Sequence, residues 1–455
     1  MPGVMAEYKG PDKTIDELAD HEREARRKVI DQAFAYYEGE HKLALKNEPD
    51  GSNASVILNI SGQALDDMVE FIGVPRLEIP GAVVREPGAD GKLTTFKSEE
   101  QESLEAWWED QELAEILADV FLSGFAAGHT FVRLYIDQDN STQVALLDPR
   151  MVTVFWDATN IKRTLWYRLE WMIGDERRRQ DIVPGWLVGG EGWQIIEYAM
   201  KKGGAKWEQV GQDPWPYPFA PVVEWKNRHM PHSYYGRGDV MPKRNDAINF
   251  AASNIQKINK HHAAPQTVLT GGSLGDEVET GPGTILEIPD PEAKLFNLEM
   301  QSELQSSLQF LDKLEARLFS EMRVVDMATI KDKLGQITNF GVRMLFVRMT
   351  NMLTTRRRLY GKGITEISRR AMTIMGTEVA QVTDIWPEML PVNRLELVNT
   401  LKTEKEIGVL SEQTAAEDLG RDYDSERERR EEETANGDDA VARQMERLGT
   451  RGMLQ

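Results

Sequence analysis

The chain has 455 residues, with 54 Lys and Arg against 75 Asp and Glu, for a net charge of −21. Hydrophobic residues make up 40% and charged residues 28%, the balance of a globular protein rather than a disordered one. The absence of cysteine excludes disulfides, thiolate zinc sites, iron–sulfur clusters and a cysteine nucleophile, and the acidity argues against a dedicated nucleic-acid binder, though not against a protein that lets nucleic acid pass.

Length predicts about three domains. No secretory signal is expected, because no apolar run follows the Arg26-Arg27-Lys28 cluster. The nearest approach to a membrane span, Leu113 to Gly128, is interrupted by Glu115 and Asp119. Residues 1–130 read as mostly helical. Leu18, Ile30 and Phe34 mark the apolar positions of a charged first helix. A continuous helix is predicted from about Glu99 to Phe125, where Leu104, Trp107, Trp108, Leu113, Leu117 and Phe121 recur at helical spacing.

Residues 130–228 read as strands, over Phe131–Ile136, Val152–Trp156, Thr164–Ile173, Trp193–Tyr198 and Val222–Trp225. Eight of the 11 tryptophans fall in this stretch. A stacking platform for bases is one reading. An antiparallel sheet packed by large aromatic pairs is favoured, because the tryptophans are not regularly interleaved with Arg and Lys.

From residue 236 the pattern turns helical again. Gly236-Arg-Gly238 precedes Asp239, read as the N-cap of a helix of about 25 residues, roughly 37 Å long, that ends before Ala264-Pro265. A second helix is predicted from about Leu298 to Met322, with Met300, Leu304, Leu308, Leu311, Leu314, Leu318 and Met322 on one stripe. Between them, Thr267–Thr270 and Thr284–Ile288 read as two short strands around a glycine-rich turn. A third helix runs from about Gln336 to beyond Leu359, with Gly341 as its soft point. Residues 376–416 read as mixed and mostly helical, and the tail from Glu417 as a solvated helix or disorder.

Gly271-Gly-Ser273-Leu-Gly275 has the letters of a nucleophile elbow, but the acidic, turn-forming run that follows is not the apolar helix an elbow needs. A glycine-rich hairpin explains the same letters. His229, His232, His261 and His262 show no HExxH spacing, so no metal site is expected; no phosphate-cradling glycine motif occurs either, and no cofactor is expected. Residues 341–370 carry eight basic residues, Arg343, Arg348, Arg356, Arg357, Arg358, Lys362, Arg369 and Arg370, against the single acid Glu366. Contact with phosphates and pairing with acidic neighbours both fit this run.

The order of parts carries a resemblance. Tyr36-Tyr37-x-Gly39, Asn59 and Phe71–Leu77 lead to the strand-rich region. Tyr235-Gly-Arg-Gly-Asp239 opens a long helix containing Asp246–Asn249 and Ser253-Asn254 and closing at His261–Pro265. Gln309–Asp312, Leu318-Phe319, Val324–Asp326, Leu410–Thr414 and Asp424–Arg429 follow. Over roughly Tyr36 to Arg430 this set resembles the portal (head–tail connector) proteins of tailed double-stranded DNA bacteriophages, siphovirus type.

The resemblance implies an α+β portal fold with a β-rich wing (1–235), stem helices (236–264 and 298–322) and a small α/β clip (265–297). It further implies a tunnel loop (323–334), a kinked tunnel helix with the wing return (335–395) and a helical crown with the charged tail (396–455). The implied assembly is a homo-dodecamer at one capsid vertex of the virion, put together in the host cytoplasm without a membrane. Its implied role is non-enzymatic: a channel for packaging and ejection of double-stranded DNA. Partners implied are the terminase large subunit, head-completion or adaptor proteins, and the major capsid and scaffolding proteins. Lys331, Lys333, Arg343 and Arg348 are the implied channel residues, and Thr270, Ser273, Asp276 and Glu277 the implied clip contacts. The alternatives are a serine hydrolase using Ser273 and another ring-forming virion adaptor.

Overall fold

The computed structural model describes residues 8, 10–11, 13–47, 53–87, 93–157, 159–201, 203–204, 206–231, 233–263, 266–270, 285–288, 295–298, 304–327, 339–390, 394–408, 415 and 427. Its helices are α1 (Lys13–Glu38), α2 (Ile60–Ile72), α3 (Glu99–Asp110), α4 (Leu113–Ala127), α5 (Gly185–Val188), α6 (Pro242–Ala263), α7 (Leu304–Met322), α8 (Asn339–Ile374) and α9 (Arg394–Glu406). Its strands begin with β1 (Arg76–Glu78), β2 (Val83–Pro87), β3 (Leu93–Lys97), β4 (His129–Ile136), β5 (Thr142–Leu147), β6 (Val152–Asp157), β7 (Asn160–Ile173) and β8 (Glu176–Pro184). They continue with β9 (Trp193–Lys201), β10 (Glu208–Trp215), β11 (Val222–Lys226), β12 (Gln266–Thr270), β13 (Ile285–Ile288), β14 (Leu295–Leu298) and β15 (Thr383–Ile385). The architecture is α+β, as the sequence implies.

The chain divides into two compact units, residues 1–73 with 113–367, and 74–112 with 368–455. The first unit is built on a five-stranded antiparallel meander, in the order β10-β9-β8-β7-β6. It also contains a three-stranded sheet β11-β4-β5 and a small sheet β13-β12-β14, whose β12–β13 pair is parallel. The aromatic reading of this region holds. Phe155 and Trp166 stack across β6 and β7 with ring centroids 3.5 Å apart, in a cluster with Ala19, Val183, Ile196 and Tyr198.

The sheet also encloses charge that the sequence pattern hides. Arg168, Arg179 and Asp181 are fully buried. Asp16 of α1 accepts from Arg168 at 2.6 Å and from Arg179 at 3.0 Å, while Asp181 accepts from both Nε atoms at 2.9 Å. The guanidiniums lie over Trp166 and Phe155, and over Tyr198 and Trp207. Burial alone would lower the Arg179 value, but Asp181 and then Asp16 outweigh it, and the group stays above its ordinary range. The tryptophans therefore do face arginines, through tertiary pairing rather than regular spacing.

In the second unit, β1 pairs with β15 and β2 with β3. Ser98 caps α3, and Glu99, Glu100 and Glu102 occupy its first turn, where the helix dipole favours carboxylates. Trp108 donates to Ser368 Oγ at 2.9 Å. The helix expected to run unbroken from Glu99 to Phe125 is instead two helices. The chain turns at Glu112, in the left-handed region at φ 51°, and the break coincides with the boundary between the units. Local periodicity on both sides is helical, so the break left no mark in the apolar pattern.

Candidate assembly face and channel helices

Helices α6, α7 and α8 carry the basic run and the apolar stripes read from the sequence, and of the candidate site residues Arg343 and Arg348. The start of α6 is fixed by a backbone crossing. A Cβ on Gly236 would lie 2.0 Å from the carbonyl oxygen of Gly128, and one on Gly238 2.1 Å from that of Ala126. Only glycine permits this approach. The crossing delivers Asp239 into the interior, 6% exposed, where its backbone N–H donates to Phe125 at 2.7 Å. Its carboxylate accepts from Arg356 at 2.9 and 3.0 Å and from Asn227 Nδ2 at 2.7 Å, with Arg228 at 3.6 Å. Arg356 also donates to the Asn227 carbonyl. Asp239 is therefore not the expected N-cap. The helix begins three residues later at Pro242, a residue suited to the first helical position because it lacks the N–H that would go unpaired there.

One face of α6 is a polar ladder for the extended segment preceding α2 and for the first turn of α2. Asn245, Asn249 and Ser253, one turn apart, are buried. Asn249 Oδ1 accepts from Leu58 N at 3.0 Å, Ser253 Oγ from Val56 N at 2.8 Å and Asn245 Oδ1 from Ser61 N at 3.1 Å. The amides of Asn249 and Asn245 donate to His41 Nδ1 at 2.8 and 3.1 Å, which fixes the ring as the tautomer that donates from Nε2 to the Tyr36 carbonyl. Tyr36 donates to Asp246. The helix side chains thus answer backbone groups that a neighbouring strand would otherwise satisfy.

Arg244 of α6 pairs with Glu321 of α7 at 3.2 Å. Arg317 holds the same carboxylate at 2.8 Å and, with Arg244, keeps it below its ordinary value. Arg348 of α8 donates to the hydroxyl and the carbonyl of Ser320 on α7, both at 3.0 Å. Phe346 is buried and stacks on Phe71 at 5.4 Å. The predicted stripe of α7 is buried only at its end, at Leu318 and Met322. Leu308 is 44% exposed and Phe310 57%; on α8, Phe340 is 69% and Met344 54% exposed. A single chain leaves these large apolar groups in water.

The structure separates the basic run of α8 into two classes. Arg356 and Arg357 are buried and committed, the second donating to the Ile72 carbonyl at 2.8 Å. Arg343 and Arg348 lie on the exposed part of the helix. Thr270 ends β12, opposite Ile288. Lys331, Lys333, Ser273, Asp276 and Glu277 lie outside the described residues, as does the segment after the strand of the elbow-like motif. Among the described residues no group of three or more ligating side chains is placed to hold a metal ion, and no helix is long and apolar enough to cross a membrane.

No curated protein matches the chain. Among solved structures it is similar to a chain of one described as the virion of a native gene transfer agent (GTA) particle. There the identity is 14%, the match covers 80% of this chain and 90% of that one, and the TM-score is 0.42. The family model described as phage portal protein, SPP1 Gp6-like, matches residues 16–439, nearly the whole sequence. The chain belongs to the phage portal protein family of the SPP1 Gp6-like type, whose place is the virion.

Proposed function

We propose that twelve copies of the chain close into a ring at one capsid vertex, and that the ring passes double-stranded DNA without chemistry of its own. In this reading α6 and α7 form the stem. The small sheet β13-β12-β14 with its connections, including Thr270, Ser273, Asp276 and Glu277, forms the clip that receives the terminase large subunit and later the head-completion proteins. Residues 323–334, with Lys331 and Lys333, approach the DNA, and α8 supports them. Ser273 then belongs to a docking loop rather than a hydrolase elbow.

The observation that carries the ring is the exposed apolar set on α7 and α8, Leu308, Phe310, Phe340 and Met344. Head-to-tail contacts that close cover such a set on every subunit at once. The charge supports the conduit. A 22-residue α6 spans about 33 Å. Duplex DNA carries one charge per about 1.7 Å, so the stem surrounds on the order of 20 phosphates. About 6–10 neutralised phosphates already give tight, salt-dependent binding, which would stall a moving duplex. Subunits of net charge −21 repel the duplex from the wall instead.

The test is assembly. Native mass spectrometry and negative-stain images of the purified protein are expected to show closed rings. Phe310→Asp with Phe340→Asp is expected to shift the population to single chains with an unchanged circular dichroism spectrum. Single chains alone from the parent protein under every assembly condition would end the proposal.

A further inference from the structure

A cleft of about 530 Å³ opens between α1, α4 and the turn that follows β5. Its floor is apolar: Phe34 of α1, Leu122 of α4, and Leu146, Leu147 and Pro149. Its rim is acidic: Asp31 and Glu38 of α1, Glu40 just beyond, Asp119 of α4 and Asp148. Asp31, Phe34 and Glu38 lie three and four residues apart on α1, as do Asp119, Leu122 and Ser123 on α4, so each helix turns one face to the cleft.

The cleft already holds one guanidinium. Arg150 lies over the Phe34 ring, 5.5 Å from its centroid. Its Nε donates to the Asp148 oxygens at 2.8 and 3.0 Å, and its NH1 to Asp31 at 3.2 Å. Those two carboxylates are thereby answered. Glu38, Glu40 and Asp119 pair with no cation among the described residues.

We propose that the cleft is a docking site for a basic segment of a partner protein, which seats the stem of an arginine on Phe34 and Leu122 and its guanidinium among Glu38, Glu40 and Asp119. The volume lies within the usual range of roughly 300–1,000 Å³ for a pocket, room for one or two side chains of an extended segment. An apolar floor under an acidic rim matches a side chain with an aliphatic stem and a cationic head. A nucleic acid is repelled by the three unpaired carboxylates, and a compact inorganic cation has no use for the floor. Arg150 on Phe34 is the same arrangement made within the chain.

Fluorescence anisotropy on the intact protein tests it, with a labelled hexapeptide Ala-Leu-Arg-Leu-Arg-Ala and its citrulline counterpart, which keeps the shape and loses the charge. The arginine peptide is expected to bind at least about tenfold more tightly. The triple variant Glu38→Gln, Glu40→Gln, Asp119→Asn is expected to lose that difference. Because the whole chain is acidic, a control neutralises three exposed carboxylates elsewhere, Asp139→Asn, Glu208→Gln and Asp213→Asn, and is expected to leave binding within about twofold. Leu122→Arg places a cation in the cleft with its carboxylates intact and is expected to block the peptide. Equal binding of the two peptides, no binding, or equal loss in the cleft and control variants overturns the proposal. So does displacement by spermidine as potent as by unlabelled arginine peptide, which would make the cleft a small-cation site.

Discussion

Asp239 shows how much one buried carboxylate is made to hold. One Arg356 nitrogen spans its two oxygens, Asn227 adds a second donor, and the ion pair joins segments more than 100 residues apart. Burial pulls Arg356 below its ordinary value, and Asp239 offsets part of that loss. Removing that cation leaves a carboxylate in the interior with the Asn227 amide and, as its remaining cation, Arg228 at 3.6 Å. Arg356→Met is therefore expected to cost about 3–5 kcal/mol in urea unfolding. Adding Asp239→Asn to that variant is expected to recover part of it, since the uncompensated charge is gone. A loss below about 1 kcal/mol in the single variant would show that the pair is not fixing the start of α6. The sequence displayed both residues, one as a helix cap and one within a basic run. It did not display that they meet, because nothing local ties position 239 to position 356.

At the scale of elements, α1 is tied to the meander by charge. Arg23 of α1 reaches Glu170 of β7 at 2.6 Å, and Arg177 of β8 reaches it at 3.0 Å. Burial raises the Glu170 carboxyl, but Arg23, Arg168 and Arg177 outweigh it and hold the group below its ordinary value. A depressed carboxylate contributes stability that is fully present above its unfolded value, about 4.3, and is lost as pH falls through the folded one. Glu170→Gln is expected to lower unfolding free energy near neutral pH by about 1–3 kcal/mol. The gap to the parent protein is expected to close as pH falls below about 4. An equal gap at acid and neutral pH would contradict the linkage. The same elements mark where the sequence was readable. Strands β4, β6, β7, β9 and β11, the end of α6, and α8 all follow from alternation, helical spacing and proline; α7 follows from Leu304 onward, but its expected start at Leu298 lies in strand β14. Strand β8 does not, because Glu176-Arg-Arg-Arg179 has the letters of a solvated turn. Arg179 is buried because Asp181 and Asp16, the second more than 150 residues away, answer its charge, while Arg177 turns to Glu170. Strands β5 and β10 were missed as well. The exposed Gln, Asp and Glu of β10 belong to the outer strand of its sheet, where one flank has no neighbour to demand apolar residues.

For the whole molecule, the informative quantity is the contrast between a net charge of −21 and a stretch, residues 341–370, with eight cations and one acid. Two of those cations are spent internally, so the basic positions proposed to meet DNA reduce to a few exposed ones. Charge reversal at Lys331 and Lys333 is expected to lower the yield of DNA-filled heads in phage complementation by about tenfold, with ring assembly unchanged. Normal filling would remove the proposed role of both lysines. The polar ladder of α6 has a consequence of another kind. The N–H groups of Val56, Leu58 and Ser61 donate to side chains 184 to 197 positions further on. On the ribosome, the meander therefore emerges and closes while that early stretch still waits, its amides bonded to water. Those early amides find their protein partners only once a helix synthesised long afterwards is in place.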